Sequence, residues 1–79
     1  MIRTLREEAI AQLVIARLNL DSRTSGQTID VLFEDGDLFL LGSCDSQAQR
    51  ATAKMIALGT HGVRRVTDKL IVRRIAQSI

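Results

Sequence analysis

Two apolar runs meet at Asp35-Gly36 and predict a β-hairpin over residues 28–43. An Asp-Gly pair favours a two-residue turn, because its left-handed backbone matches the twist of the flanking strands. The turn fixes which residues face each other across the two strands. The pairs predicted on the core face are Phe33–Leu38, Val31–Leu40 and Ile29–Gly42.

Apolar residues at helical spacing precede this hairpin. Ile10, Val14 and Leu18 recur every four residues and predict a first helix from Thr4 to about Leu18. Thr4 with Glu7 three residues later is a capping box, which predicts that the helix begins there.

A second helix is predicted to follow the hairpin and to run to about Leu58. Asp45-Ser46 offers a helix cap, Gln49 completes a second capping box, and Gly59 is a natural left-handed stop. The predicted core stripe of this helix is Ala48, Ala51, Met55 and Leu58.

A third strand is predicted from Val63 to about Arg73. Val66, Leu70 and Val72 are expected on its core side. The residues expected to face outward are Thr67, Lys69, Ile71 and Arg73.

These elements predict an α+β fold, a single αββαβ domain with a three-stranded mixed sheet and two helices on one face. The crossover through the second helix should be right-handed, which makes strands two and three parallel. We expect strand one in the middle of the sheet. The chain of 79 residues is long enough for one small domain, residues 1–79, with a core over about 4–73 and a tail over 74–79.

The sheet face turned away from the helices is also predicted to be apolar. We call it the open face, and its residues are Leu32, Phe39, Leu41 and Ile71. Four large apolar side chains on one surface favour a contact site. We expect this face to mediate self-association; the alternatives are a protein partner, lipid, or cover by the tail through Ile75 and Ile79.

Charge is divided unevenly along the chain. Residues 1–45 carry four arginines against eight acids, and residues 46–79 carry seven bases against Asp68 alone. The bases around strand three predict an anion-binding basic edge, made of Arg64, Arg65, Lys69, Arg73 and Arg74. Anionic phospholipid is the favoured ligand, since the chain lacks Trp and Tyr for stacking on nucleic acid. The alternative is solvated charge that protects an edge strand.

Catalytic and metal chemistry is weakly represented. Cys44 reads as a small buried residue, and His61 in a Gly-x-x-Gly loop reads as a helix-to-strand turn. Glu34, Asp35 and Asp37 crowd the hairpin turn, where a bound cation could relieve their repulsion, but solvated turn acids are favoured. We therefore expect no catalytic residues, no metal site and no cofactor.

The compartment is predicted from absent signals. No apolar run approaches the roughly 20 residues of a membrane span, and the N-terminus lacks the apolar core of a signal peptide. A single cysteine fits a reducing compartment. We expect a cytoplasmic protein that can associate with a membrane surface.

The ordered set of motifs resembles the BON domain, a module named for bacterial osmotically inducible and nodulation proteins. The resemblance covers roughly Leu5 to Val72 and implies a non-catalytic αββαβ module that binds phospholipid surfaces. The residues that carry it are Ile10, Val14, Leu18, Ile29, Val31, Asp35, Gly36, Leu38, Leu40, Gly42, Asp45, Ser46, Ala51, Gly62, Val63, Val66, Leu70 and Val72. Two functional classes stay open: a peripheral membrane adaptor, and a protein-interaction or ring-building assembly module with no lipid role.

Overall fold

The computed structural model describes residues 4–73 and has an α+β fold in which two helices pack on a mixed sheet. The predicted third strand is divided into two short pieces. In chain order the elements are α1 (Leu5–Leu20), β1 (Thr28–Glu34), β2 (Asp37–Cys44), α2 (Gln47–Leu58), β3 (Arg65–Asp68) and β4 (Ile71–Val72).

The first helix begins at the predicted cap. The Thr4 hydroxyl accepts a hydrogen bond from the Glu7 amide at 3.1 Å, and the Glu7 carboxylate accepts one from the Thr4 amide at 3.0 Å. The helix ends at Leu20, two residues beyond the predicted end. The buried Thr24 hydroxyl donates to the Leu18 carbonyl at 2.7 Å, which satisfies a free acceptor of the last turn.

The hairpin has the predicted register. Every pair from Thr28–Ser43 to Glu34–Asp37 lies where the Asp-Gly turn places it. Asp35 and Gly36 both have positive φ, 52° and 83°, as the two central residues of this turn require. Four of the side chains that the register directs toward the helices are buried, and Ile29 on the same face is half-buried against the core. The four are Val31, Phe33, Leu38 and Leu40.

The strand order corrects the prediction that strand one is central. The order is β1-β2-β3, with β4 also paired to β2, so β2 is the middle strand. Both later pieces run parallel to β2, as predicted. The physical reason is composition: β2 contains the unbroken apolar run 38–41, whereas β1 contains Asp30 and Glu34, which tolerate an edge better than a centre.

The predicted strand over 63–73 is wrong in its continuity. The Asp68 carboxylate accepts the Leu70 amide at 2.9 Å, which turns the chain locally between β3 and β4. Lys69 still donates its amide to the Leu40 carbonyl at 2.9 Å, and the parallel register is the same on both sides of the break. Leu70 is thereby buried in the core as predicted.

The face of α2 that packs on the sheet also differs from the prediction. All four residues of the predicted stripe are exposed, Met55 by 63% and Leu58 by 50%. Alanines lie on both sides of this helix, so their spacing does not identify the buried side. The small side chains on the buried side allow α2 to pack closely on the sheet. The buried Thr52 hydroxyl has a hydrogen-bond partner, since it donates to the Ala48 carbonyl at 2.9 Å. The buried residues of α2 are Thr52, Ala53, Ile56 and Ala57.

The ends of α2 differ from the prediction in detail. The Ser46 hydroxyl caps the helix by accepting the Gln49 amide at 3.2 Å, but the Gln49 side chain accepts the Asp45 amide instead of closing a box with Ser46. Gly59 has φ −80° and is not left-handed. The Arg17 guanidinium donates to the Gly59 carbonyl at 3.2 Å, which satisfies the helix end from outside.

An ion pair ties α2 to the sheet. The Arg50 Nε donates to the Asp68 carboxylate at 2.7 Å, and the Asp68 side chain is only 11% exposed. Burial alone would raise the pKa of Asp68, but the Leu70 amide and Arg50 outweigh it, so this pKa lies below its usual value. The folded state therefore favours the ionised carboxylate.

We predict that Asp68→Asn lowers the free energy of unfolding at pH 7 by about 2 kcal/mol, because it removes charge-assisted hydrogen bonds. The difference in free energy of unfolding between wild type and the variant is complete above the unfolded-state pKa of Asp68, about 3.9. It is lost as pH falls through the lower folded-state pKa. Urea unfolding of both proteins from pH 7 downward measures this.

The matched control for this prediction is Asp30→Asn on the exposed side of β1, which should change stability by less than about 0.5 kcal/mol. A stability difference between Asp68→Asn and wild type that does not shrink in acid would show that the charge of Asp68 is irrelevant.

Candidate binding surfaces

The predicted open face is present on the side of the sheet opposite the helices. The hairpin register pairs Leu32 with Phe39, and the parallel register pairs Phe39 with Thr67. Leu41 lies next along β2, and Ile71 is 68% exposed on β4. Leu32, Phe39 and Leu41 are half-buried by their neighbours in the sheet. The four residues thus form one apolar surface that no described element covers.

Opposite charges border this apolar surface at both ends of the sheet. At the hairpin end, Arg65 pairs with Asp37 at 3.3 Å. At the other end, Arg73 pairs with Asp45 at 3.2 Å. An apolar centre with a polar, hydrogen-bonded rim is the usual anatomy of a protein interface.

The predicted basic edge is divided by these contacts. Arg65, Lys69 and Arg73 lie along the β3–β4 edge of the sheet, beside the open face. Arg64 turns instead toward the hairpin, where its guanidinium donates to the Asp35 carbonyl at 2.6 Å. Arg74 lies outside the described residues. Three cations of the predicted set are therefore together on one edge, and Arg64 belongs to another surface.

The ion pairs do not remove the edge cations from solvent. The Arg65 and Arg73 side chains are 75% and 52% exposed, and Lys69 is exposed as well. Exposed ion pairs of this kind contribute about 0–1 kcal/mol, so a competing anion can displace them. The edge can thus still contact phosphate groups.

The acidic hairpin turn is stabilised by the protein itself. Glu34 lies directly opposite Asp37, as predicted, and the Arg65–Asp37 pair offsets their repulsion. The Glu7 carboxylate reaches over from α1 and accepts the Asp35 amide at 2.9 Å. Sequence reasoning missed both contacts, because Arg65 and Glu7 are far from the turn along the chain.

The two residues with reactive side chains lie apart. Cys44 is fully buried at the end of β2, and its thiol contacts the Ser46 carbonyl at 3.5 Å. His61 is exposed in the turn between α2 and β3, as predicted for a helix-to-strand connection. Burial of the thiol fits a structural role for Cys44.

Among residues 4–73, neither a metal-ligand cluster nor a membrane-spanning helix is present. No group of three or more His, Cys, Asp or Glu side chains is placed to hold a metal ion. No helix in that stretch combines the length and apolarity that crossing a bilayer requires.

The helices carry apolar surface that the sequence did not indicate. Leu5, Leu13 and Leu20 project from α1 with exposures of 91%, 49% and 85%. The repeat of Ile10, Val14 and Leu18 dominates the helical pattern and hides this second stripe. A cleft between α1, the hairpin turn and the segment before β3 was also missed, because its walls are distant in sequence.

Comparison with known proteins gives a family for this fold. The family model of the BON domain matches residues 6–74, most of the chain. BON domains are small non-catalytic modules known for binding membrane phospholipids. A search of the curated proteins finds no match.

Proposed function

Because the chain belongs to the BON domain family, we propose that it is a non-catalytic module that binds anionic phospholipid surfaces through one edge of its sheet. The observation that carries this proposal is the row of Arg65, Lys69 and Arg73 along the β3–β4 edge, beside the open face. We also propose that residues 1–79 act as one domain in the cytoplasm.

The charges of the edge supply attraction to lipid. A basic side chain near an anionic membrane contributes about 1 kcal/mol, and the effect decays within a Debye length. The three edge cations together therefore support weak, reversible binding that depends on salt. No larger energy is needed for a peripheral contact.

The open face supplies the apolar part of the contact. Ile71 lies between Lys69 and Arg73 in the chain and projects from the same face as Phe39 and Leu41. Apolar residues next to cations match the boundary between lipid head groups and acyl chains. When the edge cations contact an anionic membrane, the open face would lie against the bilayer.

Self-association through the open face is a second candidate. It is favoured by the apolar centre of the open face and by the arginine and the aspartate at each end of it. In a two-fold symmetric dimer, the arginines of one copy could face the aspartates of the other. Full burial of an exposed large apolar side chain contributes about 1.5–3 kcal/mol. The half-buried Leu32, Phe39 and Leu41 contribute less than this each, and the cost of association is then subtracted. In this form the domain is an assembly module, and lipid binding is unnecessary.

The membrane proposal predicts that the domain sediments with vesicles containing anionic phospholipid at low salt and is released as salt rises. Arg65→Gln combined with Lys69→Gln should reduce the bound fraction several-fold, since it removes two of the three edge cations.

The matched control is Arg23→Gln combined with Lys54→Gln. It makes the same change in net charge. Arg23 is an ion-paired arginine in the loop after α1, and Lys54 is an exposed lysine on α2 near Asp68, on the helical side of the sheet. Equal loss of binding in the two double variants would show that overall charge, and not the position of the edge cations, controls vesicle binding. Absence of binding by wild type at low salt would refute the proposal.

The self-association candidate predicts that Phe39→Asp with Leu41→Lys gives a folded monomer, whereas wild type forms a dimer at high concentration. Sedimentation equilibrium measures the mass, and circular dichroism checks the fold. The control Met55→Asp with Leu58→Lys alters two exposed apolar residues on the helical side and should leave the dimer intact. A wild-type monomer at high concentration would exclude this candidate.

A further inference from the structure

A cleft of about 440 Å³ opens at the hairpin end of the domain, on the side of the helices. We call it the tip cleft. Three segments that are distant in sequence form its walls: the first half of α1, the hairpin turn, and the chain that precedes β3. Its floor is apolar and consists of Ile10, Phe33 and Val63. The volume lies within the range of small-molecule sites.

Two guanidinium groups border this floor. Arg64 lies against Gly36 so closely that a Cβ at Gly36 would collide with its guanidinium. Arg6 reaches from α1 toward the segment that carries Arg64, where its Nη2 lies 4.0 Å from the position that a Cβ of Gly62 would occupy. Gly62 has φ +98°, a backbone conformation that residues other than glycine rarely adopt. Because Gly36 and Gly62 have no Cβ, the space beside them is available to the two arginines and to the cleft.

The positive charge of the cleft is only partly used within the protein. Within the described residues, the Arg64 guanidinium makes one hydrogen bond, to the Asp35 carbonyl, although a guanidinium has five N–H donors. Within residues 4–73, the Arg6 guanidinium makes no hydrogen bond or ion pair. The Glu7 carboxylate also lines the cleft, but its oxygens already accept from Thr4 and from the Asp35 amide. The lining therefore presents more donors than acceptors to a ligand.

From this arrangement we propose that the tip cleft binds a medium-chain fatty acid, with its carboxylate at Arg6 and Arg64 and its chain on the apolar floor. A planar guanidinium matches the two oxygens of a carboxylate. A cleft of about 440 Å³ lies toward the small end of ligand pockets, which suits a ligand of the size of decanoate. Net positive lining disfavours a cationic ligand, and the apolar floor disfavours a small hydrophilic anion.

This site is separate from the edge proposed for membranes. The fatty acid is bound as a single molecule, between α1 and the hairpin turn, and the binding uses none of Arg65, Lys69 and Arg73. Failure of one proposal therefore leaves the other standing.

The test is an NMR titration with decanoate below its micelle concentration. Chemical shifts should move at Ile10, Val63 and the hairpin turn, and the affinity should exceed that of decanol or acetate by about tenfold or more, since each lacks one half of the interaction. Arg6→Gln should weaken decanoate binding by about tenfold through loss of charge-assisted hydrogen bonds.

Two variants control the titration, and Arg6→Gln is preferred to an Arg64 variant because Arg64 also holds the hairpin turn. Arg23→Gln makes the same chemical change on another surface, and Lys69→Gln alters the proposed membrane edge; both should bind decanoate like wild type. The proposal is overturned if decanol or acetate binds as tightly as decanoate. It is also overturned if Arg6→Gln binds normally or if the shifts map to Leu41 and Ile71.

Discussion

The register of the β-hairpin is the constraint on which the rest of this structure depends. Side chains alternate along a strand, so a slip of one residue would exchange the two faces of the sheet. The positive φ of Asp35 and Gly36 fixes the turn, and the turn fixes the register. Phe33 and Leu38 then face the helices, whereas Leu32 and Phe39 face away. One tight turn thus determines both the core and the surface available for binding.

The central position of β2 links this register to the candidate surfaces. Among the described residues, β3 and β4 pair with β2 alone and form an edge of the sheet. The parallel register sets Arg65 beside Asp37 and Ile71 beside Ser43. The edge cations and the apolar open face are therefore adjacent. The crossover through α2 returns the chain to the hairpin turn before β3, where Arg64 meets Gly36 and closes one wall of the tip cleft.

Sequence reasoning predicted what short-range rules determine. The Thr4 cap and the hairpin pairing follow from residues a few positions apart, and both are confirmed. Strand order, the buried side of α2 and the break at Lys69 depend on contacts across the domain, and these predictions were wrong. For Met55, alanines on both sides of α2 left the helical phase undetermined. The partners of Arg64 could not be read from the chain, since side-chain direction at a strand end depends on packing.

The central proposal is that the domain binds through the open face and the cations of the adjoining β3–β4 edge, and not through the outer side of the helices. Methyl NMR with a soluble paramagnetic agent tests it, comparing the free domain with the domain on anionic vesicles or at self-associating concentration. The account predicts that Leu32, Leu41 and Ile71 become shielded from the agent in at least one bound form, while Leu13 and Leu20 on α1 stay accessible. Shielding of the α1 leucines with an unchanged open face would contradict it.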